Sequence, residues 1–83
     1  MDLVKKKFRV GNYLKNQGDC CDFLQVLECD EETEYGIHIK AKFYTQLHSG
    51  MKEVSNEVWI KIMKREYKNW KVYKPRGVER YEI

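Results

Sequence analysis

Apolar and polar positions change period several times along the chain, and each change marks an element. The clearest run is residues 35–44, YGIHIKAKFY, with Tyr35, Ile37, Ile39, Ala41 and Phe43 on one side and His38, Lys40, Lys42 and Tyr44 on the other. Alternation with a period of two over this length predicts a half-buried strand. The preceding DFLQVLEC (22–29) is apolar on both faces and reads as a more central strand. The polar DEETE between the two suits a loop, so residues 22–44 predict a β-hairpin. Upstream, KKFRVGNYLK alternates through Phe8 and Val10 and then meets Gly11, where a bulge or bend is expected. Asn16-Gln17-Gly18-Asp19 supplies the turn that follows.

Residues 55–68, SNEVWIKIMKREYK, fit two periods. As a strand, the β-branched Val58, Ile60 and Ile62 face inward, but the alternation fails at Lys64-Arg65-Glu66. As a helix, Ser55 is a natural N-cap and Glu57 suits the positive end of the dipole. Val58, Trp59, Ile62, Met63 and Tyr67 then form an apolar stripe, and Lys61, Lys64, Arg65 and Lys68 form the opposite face. Only Ile60 falls off that pattern, and the helix is the reading adopted. WKVYK (70–74) resumes a strand alternation, Lys74-Pro75-Arg76-Gly77 has the chemistry of a type I turn, and VERYEI (78–83) reads as the returning strand. The expected fold is a small, β-rich α+β single domain over residues 1–83, in the order βββαββ, with one amphipathic helix near 55–68. The alternative is an all-β domain.

Composition narrows the class. With 83 residues, 35% of them charged and 13% aromatic, the chain is globular in composition and has room for one core. Its apolar runs are short and interrupted by charge, which predicts no membrane span, and no apolar stretch of signal-peptide length follows Lys5-Lys6-Lys7. Three cysteines, two of them adjacent (Cys20 and Cys21), fit reduced thiols and a cytoplasmic location better than a disulfide framework. The net charge of +3 conceals an asymmetry. Residues 1–15 carry five basic and one acidic group, residues 16–57 three basic and nine acidic, and residues 58–83 eight basic and three acidic. Two basic ends flank an acidic middle, so the ends either neutralise the middle or form a face of their own.

FRVGNYL (8–14) resembles the opening of small uncharacterised proteins of Bacteroides-type bacteria and their phages, which often begin with a leucine-arginine-isoleucine-glycine-asparagine run. Those proteins follow a short barrel-like sheet with a helix led by Ser or Thr and carrying Glu-Trp, to which SNEVWIKIMKREY is similar in outline. More broadly, an early strand ending in glycine and a polar residue, followed by a hairpin, resembles SH3-like barrels, the form the all-β alternative would take. The resemblance implies a β-rich fold and carries no catalytic or binding residue across.

The candidate chemistry is sparse. Zinc needs thiolates or imidazoles that converge on one tetrahedral ion, and adjacent Cys20 and Cys21 point apart in an extended chain. Cys29, His38 and His48 would join them only through tertiary structure. No triad or glycine-rich phosphate loop is present, and the DEETE carboxylates suit a solvated turn. The sequence therefore predicts no catalytic residues, no metal and no cofactor. What remains is the basic segment: Lys61, Lys64, Arg65 and Lys68 on one helix face, Lys71 and Tyr73 on one strand face, Arg76 at the turn tip and Arg80 on the return. Clustered cations beside exposed rings suit a nucleic-acid backbone, although many non-binding domains carry a solvated basic face. The leading expectation is a non-enzymatic phage or mobile-element accessory protein that binds a host or defence protein. The alternative is a nucleic-acid-binding module that uses this basic surface.

Overall fold

The computed structural model describes residues 7–18 and 21–75. Six antiparallel strands form one sheet: β1 (Tyr13–Asn16), β2 (Asp22–Cys29), β3 (Gly36–Leu47), β4 (Gly50–Glu53), β5 (Val58–Met63) and β6 (Trp70–Val72). A 3-10 helix, Lys64–Asn69, joins β5 to β6. The strand order is β4-β3-β2-β1-β6, and β5 also pairs with β3. The hairpin expected over 22–44 is present as β2 and β3, joined through the acidic loop, with a register shift between Val26 and Glu28. Gly11 takes a φ of 99°, a bend that favours glycine, but Val10 is 56% exposed and does not continue an alternation from Phe8.

At twelve residues, β3 is long enough for one of its edges to serve two strands. β5 pairs with residues 36–41 and β4 with residues 44–47. The two run as one course broken between them: Tyr44 faces Glu53 whereas Ala41 faces Val58, so three steps along β3 match five along its neighbour. Ser55 fills the break. Its hydroxyl accepts the Phe43 N–H at 3.1 Å and donates to the Asn56 carbonyl at 2.9 Å.

The α+β assignment and the helix over 55–68 are therefore corrected. Strands make up 55% of the described structure, residues 55–63 hold no helix, and the 3-10 segment that follows has six residues, with no helix of seven or more among the described residues. Val58, Ile60 and Ile62 are β-branched, and the free edge of β3 gives them a ladder, with Ile60 opposite Ile39 and Ile62 opposite Ile37. Ile60, the residue that broke the helical pattern, packs on the core, while Trp59 of the expected apolar stripe is 48% exposed. Ser55 spends its hydroxyl on the break instead of on an N-cap, and Glu57 bridges to Lys40 at 3.3 Å. The turn and returning strand expected at 74–83 lie largely outside the described residues.

The core collects Leu14, Leu24, Val26, Ile37, Ile39, Ala41 and Ile62, closed by Phe8 and Tyr67. Tyr67 is the one buried residue of the 3-10 helix, its ring 5.1 Å from that of Phe8. Its hydroxyl donates to Glu32 at 3.0 Å, and its carbonyl accepts from the Lys7 ammonium at 2.8 Å. On the opposite side of the sheet Phe23 is also buried, ringed by Tyr13, Tyr44 and Tyr73 at 5.8, 5.6 and 4.9 Å. The Tyr73 hydroxyl donates to Gln46 at 2.9 Å.

Two measurements check this packing. A Cβ at Gly36 would meet the Ile62 carbonyl oxygen and the Met63 Cα of the paired strand, both backbone atoms unable to swing away. Gly36→Ala is expected to lower the unfolding free energy by about 1–3 kcal/mol in urea denaturation. Burial, and then the hydrogen bond to Glu32, hold the Tyr67 hydroxyl pKa well above its ordinary 10.0. A folded-state pKa above the unfolded one means that unfolding releases a proton once pH passes the unfolded value, so this stabilisation is complete below pH 10.0 and is lost as pH rises beyond it. Wild-type stability should therefore fall more steeply above pH 10.0 than that of Tyr67→Phe, which is expected to start about 1 kcal/mol lower at neutral pH.

Candidate anion-binding surface

The single basic stripe expected on a helix does not form, because Lys61 sits on β5 while Lys64, Arg65 and Lys68 sit on the 3-10 helix. Lys61 projects from β5 on the outer side of the sheet, opposite His38. Lys64, Arg65 and Lys68 are exposed on the 3-10 helix, whose three-residue turn aligns Arg65 with Lys68. Lys71 is exposed on β6, and Tyr73 follows that strand with its ring against Phe23. Arg76 and Arg80 lie outside the described residues.

Strand pairing assembles a different basic surface. β6 returns to β1, placing Lys71 directly opposite Lys15 in the ladder, and the Lys15 ammonium lies 5.1 Å from the centre of the Tyr73 ring. Lys7, anchored on the Tyr67 carbonyl, is close enough for Lys71 to add to the burial that lowers its pKa. Like charges set directly across a ladder are unfavourable, a cost that the contact of the Lys15 ammonium with the Tyr73 ring offsets in part. Neither Lys7 nor Lys15 stood out in the sequence. The available signal was the charge asymmetry of the two ends, and β1–β6 pairing brings those ends to one edge of the sheet.

Within the acidic middle, two lysines of β3 are paired locally. Lys40 lies between Glu57 at 3.3 Å and Glu28 at 3.4 Å, and Lys42 pairs with Glu53 at 2.8 Å. Hydrogen bonds to these carboxylates raise both lysine pKa values. By contrast, Lys61, Lys64, Arg65, Lys68 and Lys71 have no carboxylate within 4.0 Å among the described residues. Glu66, the acidic residue of the 3-10 helix, is occupied by the Met63 N–H at 3.1 Å.

The acidic loop borders a cleft of about 430 Å³ lined by Phe8, Arg9, Cys29, Ile37 and the carboxylates of Asp30, Glu31 and Glu32. Burial, and then the charges of Asp30 and Glu32, push the Cys29 thiol pKa up, which keeps it protonated and a poor nucleophile. Among the described residues no three His, Cys, Asp or Glu side chains are grouped to hold a metal ion, and no helix is long and apolar enough to cross a membrane. The arrangement offers a spread of solvated cations on the 3-10 helix and β6, suited to contacting several anionic groups at once. No protein-family model, curated protein or solved structure matches the chain.

Proposed function

We propose that the chain is a non-enzymatic binding domain whose ligand is the phosphate backbone of a nucleic acid, contacted by Arg65, Lys68 and Lys71 with Lys64 at the margin. The observation that carries this reading is the contrast in charge compensation. Lysines of the central strands are paired, whereas the basic residues of the 3-10 helix and β6 are exposed without a carboxylate nearby among the described residues. Solvated cations of this kind release counterions on meeting phosphates, which gives binding a steep salt dependence. Tyr73 follows Lys71 at the end of β6 with its ring against Phe23 and the Lys15 ammonium 5.1 Å from its centre, so the reading rests on phosphate contact and not on base stacking.

A protein partner of the host or defence type is the second reading. It draws support from the exposed apolar side chains of Val54, Val58 and Trp59 along the β4–β5 course. The two readings use different edges of the sheet and separate experimentally.

Fluorescence anisotropy with short single- and double-stranded oligonucleotides at several salt concentrations tests the nucleic-acid reading. Four phosphate contacts predict a slope of log affinity against log salt of about −3 on single strands. Replacing Lys68 and Lys71 together by Glu is expected to weaken binding at least about tenfold and to reduce that slope by about 1.5. Stability should change by no more than about 0.5 kcal/mol, because both side chains are exposed. Absence of binding at low salt, or a slope unchanged in the double variant, rules the reading out.

A further inference from the structure

β5 is an edge strand with its outward backbone groups in regular order. The Lys64 N–H donates to the Tyr35 carbonyl at 3.0 Å, in line with the β3–β5 ladder, so the backbone groups of residues 58, 60 and 62 also point to β3. Those of Trp59, Lys61 and Met63 point away. The Met63 N–H is taken by Glu66 at 3.1 Å, which leaves the N–H and C=O groups of Trp59 and Lys61 without a partner among the described residues. Beside them stand Trp59 and Val58, 48% and 39% exposed, with no proline or bulge inside the strand to discourage pairing.

We propose that this edge binds a second copy of the chain, β5 against β5 in antiparallel register, with a two-fold axis at Ile60. Such an axis stands perpendicular to the joined sheet, so each residue faces one on the same side of the second strand. With the axis at Ile60, Trp59 faces Lys61 of the second copy and Lys61 faces its Trp59. Both residues direct their backbone groups outward, so the two pairs form four inter-chain hydrogen bonds. Each ammonium then lies by an indole ring, an electrostatically favourable pairing that supplies the charge complementarity of the contact.

The neighbouring registers are worse. An axis at Trp59 needs the backbone of Glu57, which precedes β5 and lies outside its ladder with β3. An axis at Lys61 sets the two ammonium groups face to face and requires the Met63 amide that Glu66 already holds. β6 lies at the far end of the strand order, so this pairing leaves the basic surface open on both copies.

Sedimentation of the wild-type chain from micromolar to millimolar concentration should show reversible association from 10.1 kDa to twice that mass. Lys61→Pro removes an outward N–H without touching the bonds to β3 and is expected to abolish association. Lys61→Glu replaces the cation opposite the indole and is expected to weaken association about tenfold. Both variants are checked by circular dichroism, and if the proline variant fails to fold the glutamate variant carries the comparison. Ile60→Cys, on the axis, should give a covalent dimer under mild oxidation beyond that formed by the wild-type thiols. A wild-type chain that stays monomeric throughout overturns the proposal and leaves the edge to a strand of a different protein. Association that is equally strong in the folded variants, or no added cross-linking at residue 60, also overturns it.

Discussion

Burial of Tyr67 is the contact on which the placement of the remaining elements depends. The chain leaves β5 on one edge of the sheet and must reach β1 to form β6, and six residues of 3-10 helix span about 12 Å of that distance. Tyr67 fixes the crossing from within. Its ring closes the core against Phe8, its hydroxyl ties the acidic loop through Glu32, and its carbonyl holds Lys7. With that side chain committed inward, Lys64, Arg65 and Lys68 remain in solvent and β6 is delivered in register to β1. The basic surface is thus a consequence of how the core closes.

Charge follows the topology closely. Inside the sheet, cross-strand pairs neutralise Lys40 and Lys42 with carboxylates from β2, β4 and the residue just before β5. At the β1–β6 edge the basic ends of the chain meet each other, and Lys15 faces Lys71. Among the described residues the two outcomes that the sequence asymmetry allowed both occur in part: Lys40 and Lys42 pair with carboxylates of the middle, Arg9 borders the acidic loop, and Lys15 and Lys71 meet at the far edge. The two edges of the sheet differ in character: β6 is cationic, whereas β5 carries exposed apolar side chains and backbone groups without a partner among the described residues.

The hairpin of β2 and β3 was legible because its alternation is long and the intervening loop is wholly polar. Residues 58–63 were not, since six residues rich in apolar side chains fit a helix stripe or a strand equally well. The deciding fact was tertiary: β3 has an edge that those residues can occupy. Ile60 was the local sign, as the one apolar residue a helix would have turned outward. β4 has four residues and no alternation, so nothing local marked it. The candidate surface was legible in composition and at Lys64, Arg65, Lys68 and Lys71, but its grouping was not. A strand over residues 58–63 in place of a helix separates Lys61 from the others, and Lys15 joins Lys71 through strand pairing across more than fifty residues of chain.

Amide chemical-shift mapping during titration with a short single-stranded oligonucleotide tests the central claim most directly. Contact through the surface built by Tyr67 burial predicts shifts concentrated at Lys64 to Lys71, Lys15 and Tyr73, with the β4–β5 edge from Val54 to Lys61 unmoved. Shifts confined to that edge, or none anywhere at low salt, would contradict it.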